Sequence, residues 1–196
     1  MKKIWIVLGA LVLFVVAIVA SGVGRYNSIV TLNESVQTAW AQVETVLQRR
    51  NDLIPNLVAT VQGYAAHEAK VFTDVTEARA KVGSAKSIPD KVEANNSLTS
   101  AIGRLLVVSE NYPELKANQN FIALQDELAG TENRISVERK RYNDAVNSYN
   151  VLVRRFPNNL IAAAFGYTRE NVYFKADEAA KAAPKVNFGP PPAPKQ

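Results

Sequence analysis

From Val36 to Val82 the residues of one register recur in alternating steps of four and three: Val36, Trp40, Val43, Leu47, Ile54, Leu57, Val61, Tyr64, Val71, Val75, Ala78 and Val82, interrupted only by Arg50 and Glu68. A seam this narrow is the face that coiled coils and helix bundles bury. A second seam follows the same steps through Phe121, Leu124, Leu128, Thr131, Ile135, Glu138, Tyr142, Ala145, Tyr149, Leu152 and Phe156. Nothing between residues 26 and 156 has the period-two alternation of a half-buried strand. The fold class is therefore all-α.

Punctuation divides the seams into elements. Pro55 lacks a backbone donor and crowds the preceding turn, so "RRNDLIPN" reads as a kink or as a corner, with Asn51 or Asp52 capping a new helix. In "VGSAKSIPDK", Gly83 ends one helix, and Ser87 with Asp90 forms a capping box around Pro89. The next helix carries Val92, Leu98, Ile102, Leu105 and Leu106 and stops at Asn111-Tyr112-Pro113. A last helix runs from about Asn118 to Arg155, and Pro157 closes it. Residues 158–175 are apolar and aromatic, and read as a short cover segment; residues 176–196, rich in Pro, Ala and Lys, read as a disordered tail with polyproline character.

Residues 4–24, "IWIVLGALVLFVVAIVASGVG", carry no charge. At about 1.5 Å per residue such a helix crosses the ~30 Å hydrocarbon core of a bilayer. Cleavage as a signal peptide after "ASG" is the rival reading, but the run exceeds the usual apolar core of about 7–15 residues. Residues 1–25 are accordingly expected to be a retained anchor. Lys2 and Lys3 precede the run and Arg25 alone follows closely, which points the bundle (residues 26–157) away from the cytoplasm.

The chain supplies little for chemistry. With no Cys, thiolate and disulfide chemistry are excluded, and His67 is the only histidine, so zinc and di-iron ligand sets fail. No phosphate loop, dinucleotide fingerprint or nucleophile triad is present. A formal charge of +5 comes from 23 basic and 18 acidic residues that are interspersed rather than clustered, against a nucleic-acid partner. No cofactor, metal or catalytic residue is expected; a hydrolytic role for Glu68 is the weakest alternative. Glu68 and Arg50, as breaks in the seam, are the usual marks of half-buried ion pairs.

One further pattern is specific. "RYNDAVNSYN" sets Tyr142-Asn143 seven residues before Tyr149-Asn150, and Tyr26-Asn27 stands where the apolar run ends. The rings lie on the seam, while Asn143, Asn147 and Asn150 make a ridge beside it that either hydrogen-bonds across helices or is a solvated flank.

These stretches, "RYNSIVTLNESVQTAWAQVETVLQRRNDLIPNLVATVQGYAAHE" and "YPELKANQNFIALQDELAGTENRISVERKRYNDAVNSYNVLVRRFP" behind a short anchor, resemble the LemA family of bacterial membrane-anchored proteins. The resemblance covers about residues 1–174 and leaves the tail outside. It implies an antiparallel four-helix bundle with a corner at Pro55, an anchor retained in a bacterial inner membrane with the bundle on its periplasmic side, and no established catalytic activity, with genes for HtpX-type membrane metalloproteases as frequent neighbours and so a possible class of partner. The function expected is a membrane-anchored scaffold that self-associates or holds a membrane partner; an extracytoplasmic sensor or ligand-binding domain is the alternative, weakened by the lack of a second apolar run. With a corner near residues 51–55, Glu68 should pair with Arg139 or Arg134, and Tyr26-Asn27 should share a level with Tyr142-Asn143. The last helix should overhang the third. That overhang would leave Val153, Phe156, Leu160, Ile161 and Phe165 as an oligomer or membrane surface, unless residues 158–174 fold back and bury it.

Overall fold

A computed structural model describes residues 2–170 and 172–174. Among these the structure is helical: α1 (Lys2–Gln62), α2 (Ala69–Ser84), α3 (Ile88–Ser109), the single turn α4 (Pro113–Lys116), α5 (Gln119–Arg154) and α6 (Asn158–Ala164), with no strand. The tail read as disordered lies outside the described residues.

The corner expected at Pro55 is absent. α1 continues through the proline as one helix of 61 residues, and the first reversal comes at residues 63–68. Packing on both sides of the proline explains why. Arg50, one turn before it, is held by groups on α3 and α5, and Ile54, Leu57 and Val61 are buried against them. Pro55 itself faces solvent. A proline costs a helix about 3 kcal/mol through its missing donor and its clash, a penalty that burial of the flanking seam outweighs.

α2 turns back from the reversal, and α3 returns beside it. Ser87 caps α3 by accepting from the Asp90 N–H at 3.2 Å, with Pro89 in the first turn, as the sequence indicates. Asn118 caps α5 in the same way through the Phe121 N–H at 3.1 Å. α5 then runs antiparallel to the part of α1 that follows the apolar run.

Two apolar clusters fill the interior. The distal one joins Ile54, Leu57 and Val61 of α1 to Phe72 and Val75 of α2, Leu98 and Leu105 of α3, and Phe121 and Leu128 of α5. The proximal one is built mainly by α1 and α5, from Ile29, Val36, Trp40, Val43 and Leu47 against Ile135, Tyr142, Val146, Tyr149 and Val153. The α1 seam is buried as its spacing indicates up to Val61. Through the reversal the buried positions shift to Ala65 and then Phe72, with Tyr64 exposed, and the seam resumes at buried Val75 and Ala78. Along α5 the buried line drifts from Ala145 and Leu152 to Val146, Asn150 and Val153, the drift expected of a straight 3.6-residue helix against a 3.5-residue repeat.

The proximal overhang of α5 is not bare. α6 and the chain that follows it fold back, so that Ala162, Ile161, Tyr167, Tyr173 and Phe174 close the proximal cluster. Val153 is thereby buried, which removes it from the expected oligomer or membrane surface, and Ile161 is partly buried. At the other end of α1 the apolar run stands free of the rest of the chain; it is the one helix among the described residues long and apolar enough to cross a membrane.

Candidate functional site

Between the two clusters lies a polar layer. Arg50 occupies a seam position of α1, and its side chain is almost wholly buried. Its Nη1 donates to Glu132 Oε2 at 2.9 Å and to Thr99 Oγ1 at 2.7 Å; Nη2 donates to Asn95 Oδ1 at 2.9 Å and to the Asn95 carbonyl at 3.2 Å. Asn95 in turn donates to the Lys91 carbonyl at 2.8 Å, and buried Thr131, next to Glu132 in the chain, donates to the Glu127 carbonyl at 2.7 Å. Only Nε of Arg50 lacks a partner among the described residues. Burial pushes the guanidinium down from its usual range and the adjacent Glu132 carboxylate opposes that shift. The layer thus ties α1, α3 and α5 at a single level. A shallow cleft between α3 and α5, lined by Ile102, Leu106 and Leu128, ends on Arg50 and Glu132.

Nearer the apolar run, α5 presents two amides to the returning chain. Asn143 donates to the Phe174 carbonyl at 2.9 Å and accepts from the Phe174 N–H at 3.0 Å. Asn150 treats Glu170 the same way, at 2.7 and 2.9 Å, and also donates to the Tyr173 hydroxyl at 2.7 Å. Each side-chain amide thus pairs with one residue's N–H and C=O, as a neighbouring strand would. Tyr149 adds a hydroxyl bond to the Thr168 carbonyl at 2.8 Å. The spacing fits: seven residues of helix rise about 10 Å, close to the reach of four extended residues. Phe174 so held stacks on Trp40 (centroids 6.0 Å apart) and meets Tyr142 edge-on at 5.7 Å, with the Arg139 guanidinium 4.9 Å from its centroid. The Tyr142 hydroxyl is buried without a partner among the described residues, and its pKa is pushed up to about 12, by desolvation first and then by the Glu170 and Tyr173 charges.

At the level where α1 leaves its apolar run, Arg25 Nη1 donates to Asn158 Oδ1 at 3.0 Å. Tyr26 packs on Phe165 and Tyr167, with centroids 4.7 and 6.2 Å away. Asn158 and Ala162 face inward, while Phe156, Leu160 and Phe165 are 79%, 60% and 63% exposed.

With this geometry in view, comparison with known proteins decides the family. The LemA family matches residues 39–188. The chain belongs to the LemA family. Among its relatives, magnetosome protein MamQ 2 of Paramagnetospirillum magneticum is 30% identical, over 86% of this chain and 71% of the relative. Magnetosome protein MamQ of Magnetospirillum gryphiswaldense is 26% identical, over 81% and 68% respectively. Protein LemA of Metamycoplasma hominis is 26% identical over 71% of this chain and 64% of its own length. None of these names is that of an enzyme. The family match extends to residue 188, so the shared LemA region includes the first part of the Pro-rich tail, beyond the expected limit at about residue 174.

In this LemA chain the expected ion pair does not form. Glu68 sits at the N-cap of α2, in the reversal, whereas Arg139 lies midway along α5, donating weakly to Asn96 Oδ1 at 3.4 Å; Arg134 is exposed. Moving the first reversal from about residue 53 to about residue 65 carries Glu68 from the middle of a helix to its end. The same displacement separates the Tyr-Asn pairs. Tyr142 meets Trp40 at 5.5 Å, fourteen positions along α1 from Tyr26, and Tyr26 meets the cover segment instead. Of the asparagine ridge, Asn143 and Asn150 bind backbone of the cover segment rather than another helix, while Asn147 is exposed, as is Asn27 on α1. Arg50, expected like Glu68 to mark a half-buried ion pair, does form one, with Glu132. Its signal was present, because an arginine held in strict heptad register is expensive to bury without partners. Asn95 and Glu132 gave no such signal.

Proposed function

We propose that this LemA-family protein is a non-enzymatic, membrane-anchored scaffold whose helices work as an antiparallel four-helix bundle outside the cytoplasmic membrane and self-associate in its plane. The observation that carries this reading is the continuity of α1, in which one helix holds the candidate span at one end and the seam of both core clusters at the other. A body joined to its anchor through one unbroken helix suits holding things at a distance from a bilayer. Identical subunits confined to one plane also meet at high effective concentration. The relatives named as magnetosome proteins fit a role at a membrane-bounded structure. The other body that such a scaffold would hold is a membrane partner, with an HtpX-type protease the class that the family resemblance implies.

The test is size. Light scattering of the full chain extracted in mild detergent, with crosslinking in intact membranes, should give a homo-oligomer and a ladder. A monodisperse monomer with no ladder would sink self-association.

A further inference from the structure

We infer that α6 is a foot resting on the bilayer surface. Phe156, Leu160 and Phe165 enter the boundary between headgroups and acyl chains, and Arg25, Arg154 and Arg155 lie among anionic headgroups. The inference rests on the anchor reading of residues 4–24, and adds to it a second, peripheral lipid contact.

Height is the first argument. Arg50 meets Glu132, and ten residues back along α1 Trp40 meets Tyr142, ten residues on along α5. Carried another fourteen residues, this antiparallel register sets Phe156 beside Tyr26. The Arg25–Asn158 and Tyr26–Phe165 contacts place α6 at the same level independently. The uncharged run ends at Gly24, so that level is where the hydrocarbon core gives way to headgroups.

Chemistry is the second. α6 buries Asn158 and Ala162 on one side and leaves Leu160 open on the other, with Phe156 and Phe165 open at its two ends. Large apolar side chains with arginines beside them are what interfacial elements present, their apolar face sunk about 5–10 Å. Arg154 and Arg155 are exposed and make no ion pair among the described residues. A second copy is the poorer occupant of this face, since it would bring one arginine cluster against another, whereas phosphatidylglycerol supplies the opposite charge.

The chain has no Cys, so single-cysteine variants of the full-length protein can carry one nitroxide each. The sites are Leu160→Cys and Phe165→Cys in the foot, Leu13→Cys in the apolar run and Val107→Cys far along the chain, all at exposed positions. In vesicles of phosphatidylethanolamine and phosphatidylglycerol, labels at 160, 165 and 13 should favour oxygen over a water-soluble nickel chelate, and the label at 107 the reverse. Raising the phosphatidylglycerol fraction should deepen the label at 160, and Arg154→Gln with Arg155→Gln should abolish that response. If 160 and 165 behave like 107 while 13 stays in lipid, the foot is wrong and the anchor stands. If 13 also reads water, anchor and foot fall together. Labels at 160 shielded from both reagents and dipole-coupled between copies would make this face a protein interface and overturn the lipid assignment. A response to phosphatidylglycerol that survives loss of both arginines would overturn their headgroup role.

Discussion

Arg50 sits where two apolar clusters meet, and its bonds are unequal in kind. Asn95 and Thr99 offer neutral acceptors, while Glu132 alone brings a charge, from a side chain 48% exposed. Glu132→Gln should therefore destabilise the fold by about 1–3 kcal/mol, solvent screening of the open carboxylate discounting the upper figure. Arg50→Met with Glu132→Gln should recover part of that loss, because an apolar side chain leaves no buried charge to compensate. A urea-denaturation double-mutant cycle measures the coupling, and additivity would show that the two residues do not act as a pair. Tyr142 makes a different prediction. Its hydroxyl ionises near pH 10 when unfolded and near 12 when folded, so the folded state keeps its proton longer. The stability this group contributes is intact below pH 10 and is lost as pH rises through 12, up to about 2–3 kcal/mol. Tyr142→Phe should flatten the melting temperature between those pH values relative to the parent, and parallel profiles would refute the assignment.

At the scale of elements, α1 shows what local chemistry can and cannot say. The seam through Val36, Trp40, Val43 and Leu47 was legible because burial repeats with the helix period. Pro55 was misread because the groups that hold the helix straight past it, Asn95, Thr99 and Glu132, are 40 or more residues away in sequence. Pro55→Ala should restore a donor to the Asn51 carbonyl and raise stability by about 1–3 kcal/mol in chemical denaturation; a loss would mean the helix depends on the proline. The cover segment was legible as apolar and aromatic, but its route was not. Its anchors are backbone N–H and C=O groups, which every residue has, and its aperiodic stretch carries no face. Asn150→Ala should free the chain around Glu170, costing about 1–3 kcal/mol. In a Trp5→Phe background, emission from Trp40 should then shift to the red as Phe174 leaves it, and unchanged emission would show that the clamp at Asn143 suffices alone.

For the whole molecule, the weakest joint of the long helix is "SGVG" at residues 21–24, where two glycines lie in a helix interior. A Cβ added at Gly22 or Gly24 meets nothing within 4 Å. Alanine at both should favour the helix by about 0.5–1 kcal/mol per site. Spin labels at Leu13→Cys and Val107→Cys should then report a narrower distance distribution than in the parent; an unchanged width would place the flexibility elsewhere.

The uninterrupted helix also has a mechanical consequence. With the apolar run in a bilayer as proposed, the stretch from Arg25 to Gln62 extends about 57 Å beyond it, as a lever with its fulcrum at the membrane surface. Spans commonly lean by about 20° from the bilayer normal, more in thin bilayers than in thick ones. A lean of that size swings the far tip sideways by about 20 Å, so membrane thickness sets the radius that each molecule sweeps.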